Sequence, residues 1–428
     1  MKRTTSPWAW VPTLYFAEGL PYIAVNTLSV IMYKKMGMSN TDLAFFTGWL
    51  YLPWVIKPFW SPFVDPMKTK RWWTVAMQAF VALAFAAVAL ALPMASYVKI
   101  TLVVFWLIAF ASATQDIAAD GYYMHALDEK NQSLFVGIRS TFYRCATIFG
   151  QGVLVILAGT LEERGDGVAK AWSWTFAVLS LFFLALTCYH FYVLPCPDSD
   201  KPSREGTNDV KSILKGFGET FVTFFKKSDV WIALLFIVLY RLPEAQLVKI
   251  LNPFLLDDVA VGGLGLTTAQ VGVAYGTVGI IGLTLGGILG GIVISRRGLR
   301  RCLFPMALCI TLPDVLYLVL SLIHPDVTQF IHLAMVNACV FVEQFGYGVG
   351  FTSFTLYMMH FAQGESKTSH FAICTGFMAL GMMVPGMFSG MIQERLGYSG
   401  FFWWIMGCCL VTLAVTLLVK SRVRDTEE

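Results

Sequence analysis

Ser112-Ala113-Thr114-Gln115-Asp116-Ile117-Ala118-Ala119-Asp120-Gly121-Tyr122-Tyr123 is the stretch that decides how the chain is read. It lies inside an apolar run that begins near Ile100, and its two carboxylates, four residues apart, share one face of a helix. An ionisable group inside a membrane costs at least about 2.5–3.5 kcal/mol on insertion scales, so it needs a partner or a water-filled cavity. The next apolar run offers Arg139 and Arg144, across a polar hairpin centred near Lys130. Asp120 stands ten residues before Lys130 and Arg139 nine after it; Asp116 stands fourteen before and Arg144 fourteen after. At equal rise per residue, depth pairs Asp120 with Arg139 and Asp116 with Arg144. The alternative is that either Arg faces a cavity and binds an anionic substrate.

Composition agrees with a membrane setting. Of 428 residues 57% are hydrophobic and 14% charged, and mean hydropathy is +0.64; globular domains carry roughly 25% charged residues. The net charge of +4 does not cluster on a soluble domain, so nucleic acid is excluded as a partner. Nine cysteines fall mostly in apolar runs with no C-x-x-C pair, which argues against a disulfide or metal framework. The first apolar run is too long for a cleavable signal peptide, and more follow.

Working outward, runs of about 20 residues recur near 8–32, 42–62, 72–94, 100–125, 133–160, 172–194, 229–255, 267–294, 302–323, 328–361, 369–392 and 400–419. The chain is therefore expected to be an all-α membrane protein with twelve transmembrane helices. With the N-terminus inside, twenty Lys and Arg fall on the inner segments and six on the outer, so both termini are expected to be cytoplasmic. The longest polar interval separates six helices (1–194) from six (229–428). Within this 195–228 linker, Ile213, Leu214, Phe217, Phe221 and Phe224 recur at helical spacing over Val210–Lys227, which predicts a helix lying on the membrane surface; a structureless loop is the alternative.

The halves repeat. Tyr122-Tyr123-Met124-His125 matches Tyr357-Met358-Met359-His360 at an offset of 235, and Ile138 and Phe142 meet Ile373 and Phe377 at the same offset. Gly37-Met38-Ser39-Asn40-Thr41-Asp42 resembles Gly265-Leu266-Thr267-Thr268-Ala269-Gln270, and both look like helix starts capped by Ser39 and Thr267. Two pseudo-symmetric six-helix halves around a central cavity are expected. The charges are not duplicated: at this offset Asp116, Asp120, Arg139 and Arg144 face Phe351, Thr355, Cys374 and Ala379.

Candidate functional residues follow from charge inside apolar runs. Glu18, in Glu18-Gly19-Leu20-Pro21-Tyr22, is a mid-span carboxylate that either carries a proton or ties two helices together. Asp116, Asp120 and Glu343 are the other proton-coupling candidates. Tyr240-Arg241-Leu242-Pro243-Glu244 and Lys249 sit on a helix expected to be kinked or broken and to line the cavity, with Arg241 and Glu244 also able to pair with each other. Substrate-binding candidates are Tyr22, Trp54, Gln115, Arg139, Tyr143, Arg144, Gln151, Tyr240, Arg241, Glu244 and Lys249. Asp65, followed by Lys68, Lys70 and Arg71, looks like the gating loop between helices two and three of major facilitator transporters. No nucleophile, phosphate-binding or metal motif is present, so neither an enzyme nor a cofactor is expected. The rival class is a membrane-embedded sensor.

Together Gly19-Leu20-Pro21, Leu52-Pro53, Lys57-Pro58-Phe59-Trp60-Ser61-Pro62 with Asp65, Gln115-Asp116-Ile117 with Asp120, Gly137 with Arg139, Tyr240-Arg241-Leu242 with Glu244-Ala245, and Pro253-Phe254-Leu255-Leu256-Asp257 resemble the AmpG-like branch of the major facilitator superfamily, which includes muropeptide permeases and acetyl-coenzyme A transporters. The resemblance spans both halves. It implies the major facilitator fold and proton-coupled uptake of anhydro-muropeptides across the bacterial inner membrane by a functional monomer. Some shorter relatives of similar build look like siderophore importers, so a siderophore is the alternative substrate and a coenzyme A thioester the third.

Overall fold

The computed structural model describes residues 6–165, 167–197, 200, 210–363 and 367–421. The middle of the expected linker, 201–209, lies outside the described residues. Among the described residues ten helices are long and apolar enough to cross a membrane. The last of them, His370–Lys420, is two spans joined at Gly397, whose φ of 70° and ψ of 174° break the helix. The remaining span is the second. It is interrupted at Leu50–Tyr51 into Asn40–Trp49 and Leu52–Met67, so neither piece alone is long enough to cross. That makes twelve membrane-length helices, on the expected runs.

Local chemistry sets the ends and the breaks. Thr267 and Gln270 form a reciprocal capping box, and the Ser39 hydroxyl accepts from the Asp42 amide at 3.1 Å. Two i→i+3 bonds, Tyr51 N to Gly48 O and Trp54 N to Tyr51 O, each 3.1 Å, tighten the turn ahead of Pro53, which has no N–H to donate. The seventh span breaks as expected, into Val230–Leu239 and Leu242–Leu256, with Pro243 in the first turn after the break. Among the described residues three spans contain a π-helical segment: Ala24–Leu28, Ile148–Leu154 and Ala274–Gly279.

The helices gather into two compact units: Met1–Met36 with Ile56–Gly206, and Gly37–Val55 with Thr207–Glu428. In the first unit Trp10, Leu14 and Tyr15 pack on Ala119, Tyr122 and Tyr123 of the fourth span. Gly19 admits the fifth span closely: a Cβ there would lie 3.0 Å from Ala146 Cβ and 3.3 Å from the Tyr143 carbonyl oxygen. In the second unit the core joins Phe236, Tyr240, Phe354 and Tyr357. The amphipathic helix Val210–Phe225 enters this core at its end, where Phe224 is fully buried and Phe221 and Phe225 are partly so.

The first piece of the second span, Asn40–Trp49, belongs to the second unit by its contacts. Asn40 Nδ2 donates to Gln393 Oε1 at 2.7 Å and to the Tyr398 hydroxyl at 3.0 Å. The Glu394 carboxylate accepts from the Thr41 amide at 3.0 Å and the Thr41 hydroxyl at 2.6 Å, so it caps this helix from another part of the chain.

Candidate functional site

In the first unit the fourth span presents Asp116 and Asp120 one turn apart. Lys57 Nζ forms an ion pair with Asp116 Oδ2. Arg139 pairs with Asp120 Oδ1 at 2.5 Å, and the Tyr15 hydroxyl donates to the same oxygen at 3.0 Å. The Arg139 guanidinium lies 4.3 Å from the Tyr15 ring centroid and 5.2 Å from that of Tyr123, which fixes its direction by cation–π attraction. These four charged side chains keep 27–42% of their surface exposed at membrane depth. Charges there require water rather than lipid, so this is a wet face.

Glu18 sits behind them. It is buried, its carboxyl is within hydrogen-bonding range of Asp116, and its Oε2 has no partner among the described residues. Gln115 is fully buried; its amide donates to the Ala17 carbonyl at 3.3 Å and its Oε1 has no partner among the described residues. Gln151 donates to Thr27 Oγ1 at 3.0 Å, which links the π segments of the first and fifth spans. Tyr22 and Tyr143 are half-buried.

The depth argument holds for one pair and fails for the other. Asp120 meets Arg139, but Asp116 meets Lys57 of the second span instead of Arg144. The reason is angular. Asp116 and Asp120 differ by about 40° around their helix, whereas Arg139 and Arg144 differ by about 140° around theirs, so both arginines cannot face the same neighbour. Arg144 is half-buried and has no ion pair or hydrogen bond among the described residues.

In the second unit Lys249 is 1% exposed, and no carboxylate meets it among the described residues. Its Nζ donates to Thr47 Oγ1 at 3.0 Å, on the first piece of the second span, and lies 4.9 Å from the ring centroid of Tyr51, in the interruption that follows. Trp54, in the same unit, is half-buried. Arg241 donates to the Tyr347 hydroxyl at 2.7 Å and lies over the Phe351 ring; Glu244 is 4.0 Å away, so the expected pair is a loose one. Glu343 Oε2 accepts from Tyr317 at 3.1 Å and from Gln344 at 2.9 Å. Tyr240 stacks on Phe354 with centroids 4.8 Å apart and donates to the Gly350 carbonyl. It is fully buried and packs in the core of the second unit.

The expected gating loop is tied to the root of the linker. The Asp200 carboxylate accepts from the amides of Lys70 and Arg71 at 2.7 and 2.9 Å, capping the third span. The Arg71 side chain donates to the carbonyls of Leu194 and Phe191 at the end of the sixth span, at 3.0 and 2.5 Å. Lys68 lies over the Trp72 ring, and the side chain of Asp65 lies outside the described residues. Sequence reasoning did not select Lys57, Tyr15, Asp200 or Asp314, a buried carboxylate that accepts from Cys409. Lys57 and Asp314, charges inside apolar runs, carried the same signal as Glu18. Asp200 carried none, since a polar linker gives no hint of which acid folds back.

Comparison with known proteins follows the same lines. The sequence profile of the Major Facilitator Superfamily matches residues 13–369. The Anhydromuropeptide permease of Escherichia coli (strain K12) is 25% identical over 426 residues, covering 96% of this chain and 79% of that protein. A protein named Putative transporter AmpG 4 from Rickettsia conorii is 23% identical, covering 96% and 95%. Among solved structures, a bacterial homolog of the human lysosomal transporter Spinster superposes with a TM-score of 0.74 at 14% identity, covering 97% and 98% of the two chains. A D-xylose–proton symporter superposes with a TM-score of 0.70 at 13% identity, covering 98% and 97%. At these identities the structures speak to the fold alone.

Proposed function

The chain belongs to the Major Facilitator Superfamily, and from that premise we propose that it imports an anhydro-muropeptide, or a related amino-sugar glycoconjugate, together with protons. It is a multi-pass membrane transporter; the substrate, the coupling ion and the direction are the proposal. So are alternating access between two six-helix halves, a bacterial inner-membrane location with both termini cytoplasmic, and function as a monomer.

The observation that carries the reading is the Glu18–Asp116–Lys57 group beside Asp120–Arg139. Two carboxyls in hydrogen-bonding range do not both ionise readily, so the group is suited to hold a proton between them. A proton arriving on Asp116 cancels the charge that holds Lys57. A proton leaving restores the pair. Arg139 stays locked by Asp120 and Tyr15, and Arg144, with no counter-charge among the described residues, is suited to a substrate carboxylate. Muropeptides carry peptide carboxylates beside sugar rings, and the likeness, over 96% of this chain, to a protein named as an anhydromuropeptide permease supports that class.

The experiment is uptake into proteoliposomes of radiolabelled N-acetylglucosaminyl-anhydro-N-acetylmuramyl tripeptide under an imposed proton gradient. Accumulation that a protonophore abolishes supports the reading. Accumulation of a ferric siderophore or a coenzyme A thioester, with no movement of muropeptide, overturns the substrate. Epitope tags at both termini that become reachable only after permeabilisation of inner-membrane spheroplasts support the orientation; tags reachable in intact spheroplasts overturn it.

A further inference from the structure

A cavity of about 250 Å³ opens in the second unit where the seventh span begins and the tenth and twelfth end. Ile232, Phe361 and Val419 form its apolar wall. Lys227, Asp229, Tyr357 and His360 supply polar groups. None of these has a place in the transport reading.

Lys227 is held rigidly. Its ammonium donates to the carbonyls of Phe361 and Gln363 at 2.8 and 2.6 Å, closing the last turn of the tenth span. An ammonium has three donors, and among the described residues two of them are used, which leaves one for an occupant. Burial pushes the Lys227 ammonium below its ordinary value, a cost that an anion in the cavity would offset. The Tyr357 ring is 6% exposed, and its hydroxyl has no hydrogen bond among the described residues. Asp229 turns the chain into the seventh span with a left-handed φ of 59° and lies within electrostatic range of Tyr357.

Both signs of charge therefore line one small cavity, which disfavours a purely anionic ligand. The neighbouring Trp231 is 72% exposed at the same span end, the depth at which aromatic side chains meet lipid headgroups. We propose that this cavity binds the headgroup of an aminophospholipid, its phosphate on Lys227 and the Tyr357 hydroxyl and its amine towards Asp229. The acyl chains leave along the apolar wall. The ligand chemistry is a phosphate ester bearing a primary amine, and the lipid is the source to which the position at the span ends points.

The test is thermal unfolding of the purified full-length protein in detergent, with added dioleoyl-phosphatidylethanolamine, dioleoyl-phosphatidylglycerol or soluble glycerophosphoethanolamine. Variants are Tyr357→Phe and Asp229→Asn; Asn tolerates the left-handed conformation, so the turn is kept. The ethanolamine lipid is expected to raise the midpoint by a few degrees and the glycerol lipid by less than half as much. Tyr357→Phe should shrink the ethanolamine shift, and Asp229→Asn should erase the preference between the lipids. Equal shifts by both lipids on the unaltered protein, or an undiminished preference in both variants, would overturn the proposal. A shift from the soluble headgroup as large as from the lipid would overturn the lipid as the source. If a variant does not fold, native mass spectrometry of the unaltered protein in an equimolar mixture of the two lipids decides: retained ethanolamine lipid supports the site, and no enrichment refutes it.

Discussion

Replacing Lys57 by Met strips Asp116 of its cation and leaves a carboxylate facing Glu18. Breaking a buried pair costs 3–5 kcal/mol in general, but these side chains are 27% exposed, so a loss of about 1–3 kcal/mol is expected, read as a lower unfolding midpoint. Lys57→Met with Asp116→Asn should recover the midpoint. If uptake recovers too, the pair is structural and the coupling scheme fails. Glu18→Gln keeps the volume and should fold normally, but transport should lose its response to an imposed proton gradient; unchanged proton dependence would remove Glu18 from the scheme. Arg144→Gln breaks no ion pair or hydrogen bond among the described residues, so it should raise KM for the muropeptide about tenfold or more while leaving the midpoint in place. At this scale the sequence revealed Asp116, Asp120 and Arg139, because two spans joined by a short hairpin share a depth scale. Lys57 reaches Asp116 from a span that is not its chain neighbour, and counting along a hairpin cannot find such a partner.

Helices in the second unit approach through glycine. A Cβ on Gly350 would lie 2.6 Å from Ile310 Cβ and 3.0 Å from the Met306 carbonyl oxygen, so the tenth span touches the ninth only because that atom is missing. Gly291 meets nothing within 4 Å. Gly350→Ala is expected to destabilise by about 1–3 kcal/mol. Gly291→Ala is expected to be neutral or to stabilise by up to about 1 kcal/mol, since Ala is the better helix former. Equal midpoints for the two variants would refute this account of the packing. The break in the seventh span was legible, because Pro243 announces it. The break at Leu50–Tyr51 was not, because neither residue is a helix breaker and only the later Pro53 marks the place. The caps at Ser39 and Thr267 were legible from hydroxyl and spacing alone, although Asp42 makes no return bond like that of Gln270.

For the whole molecule, the length of the apolar runs was enough to give twelve helices and their order, since an extended apolar run has few other ways to satisfy its backbone in lipid. The partition of contacts was not legible. Asn40 finds Gln393 and Tyr398 more than 350 positions away, and nothing in either segment's composition marks the other. The amphipathic helix was legible as a periodic stripe, but the burial of Phe224 in the second unit depends on a groove formed by distant spans.

Asp200 bears on where this gene can be divided. It lies past the sixth span, yet it finishes the third, and Tyr122 holds the Pro195 carbonyl at 2.8 Å in between. A scission placed where the apolar run stops would cut both anchors from the first fragment and leave the amides of Lys70 and Arg71 without their acceptor, with Thr69 alone to cap the third span through the Trp72 amide. Co-expressed fragments 1–206 and 207–428 should therefore complement a transport-deficient strain better than 1–194 with 195–428. Asp200→Ala in the longer fragment should cost much of that advantage. Equal complementation by the two pairs would mean that the linker root is only tether.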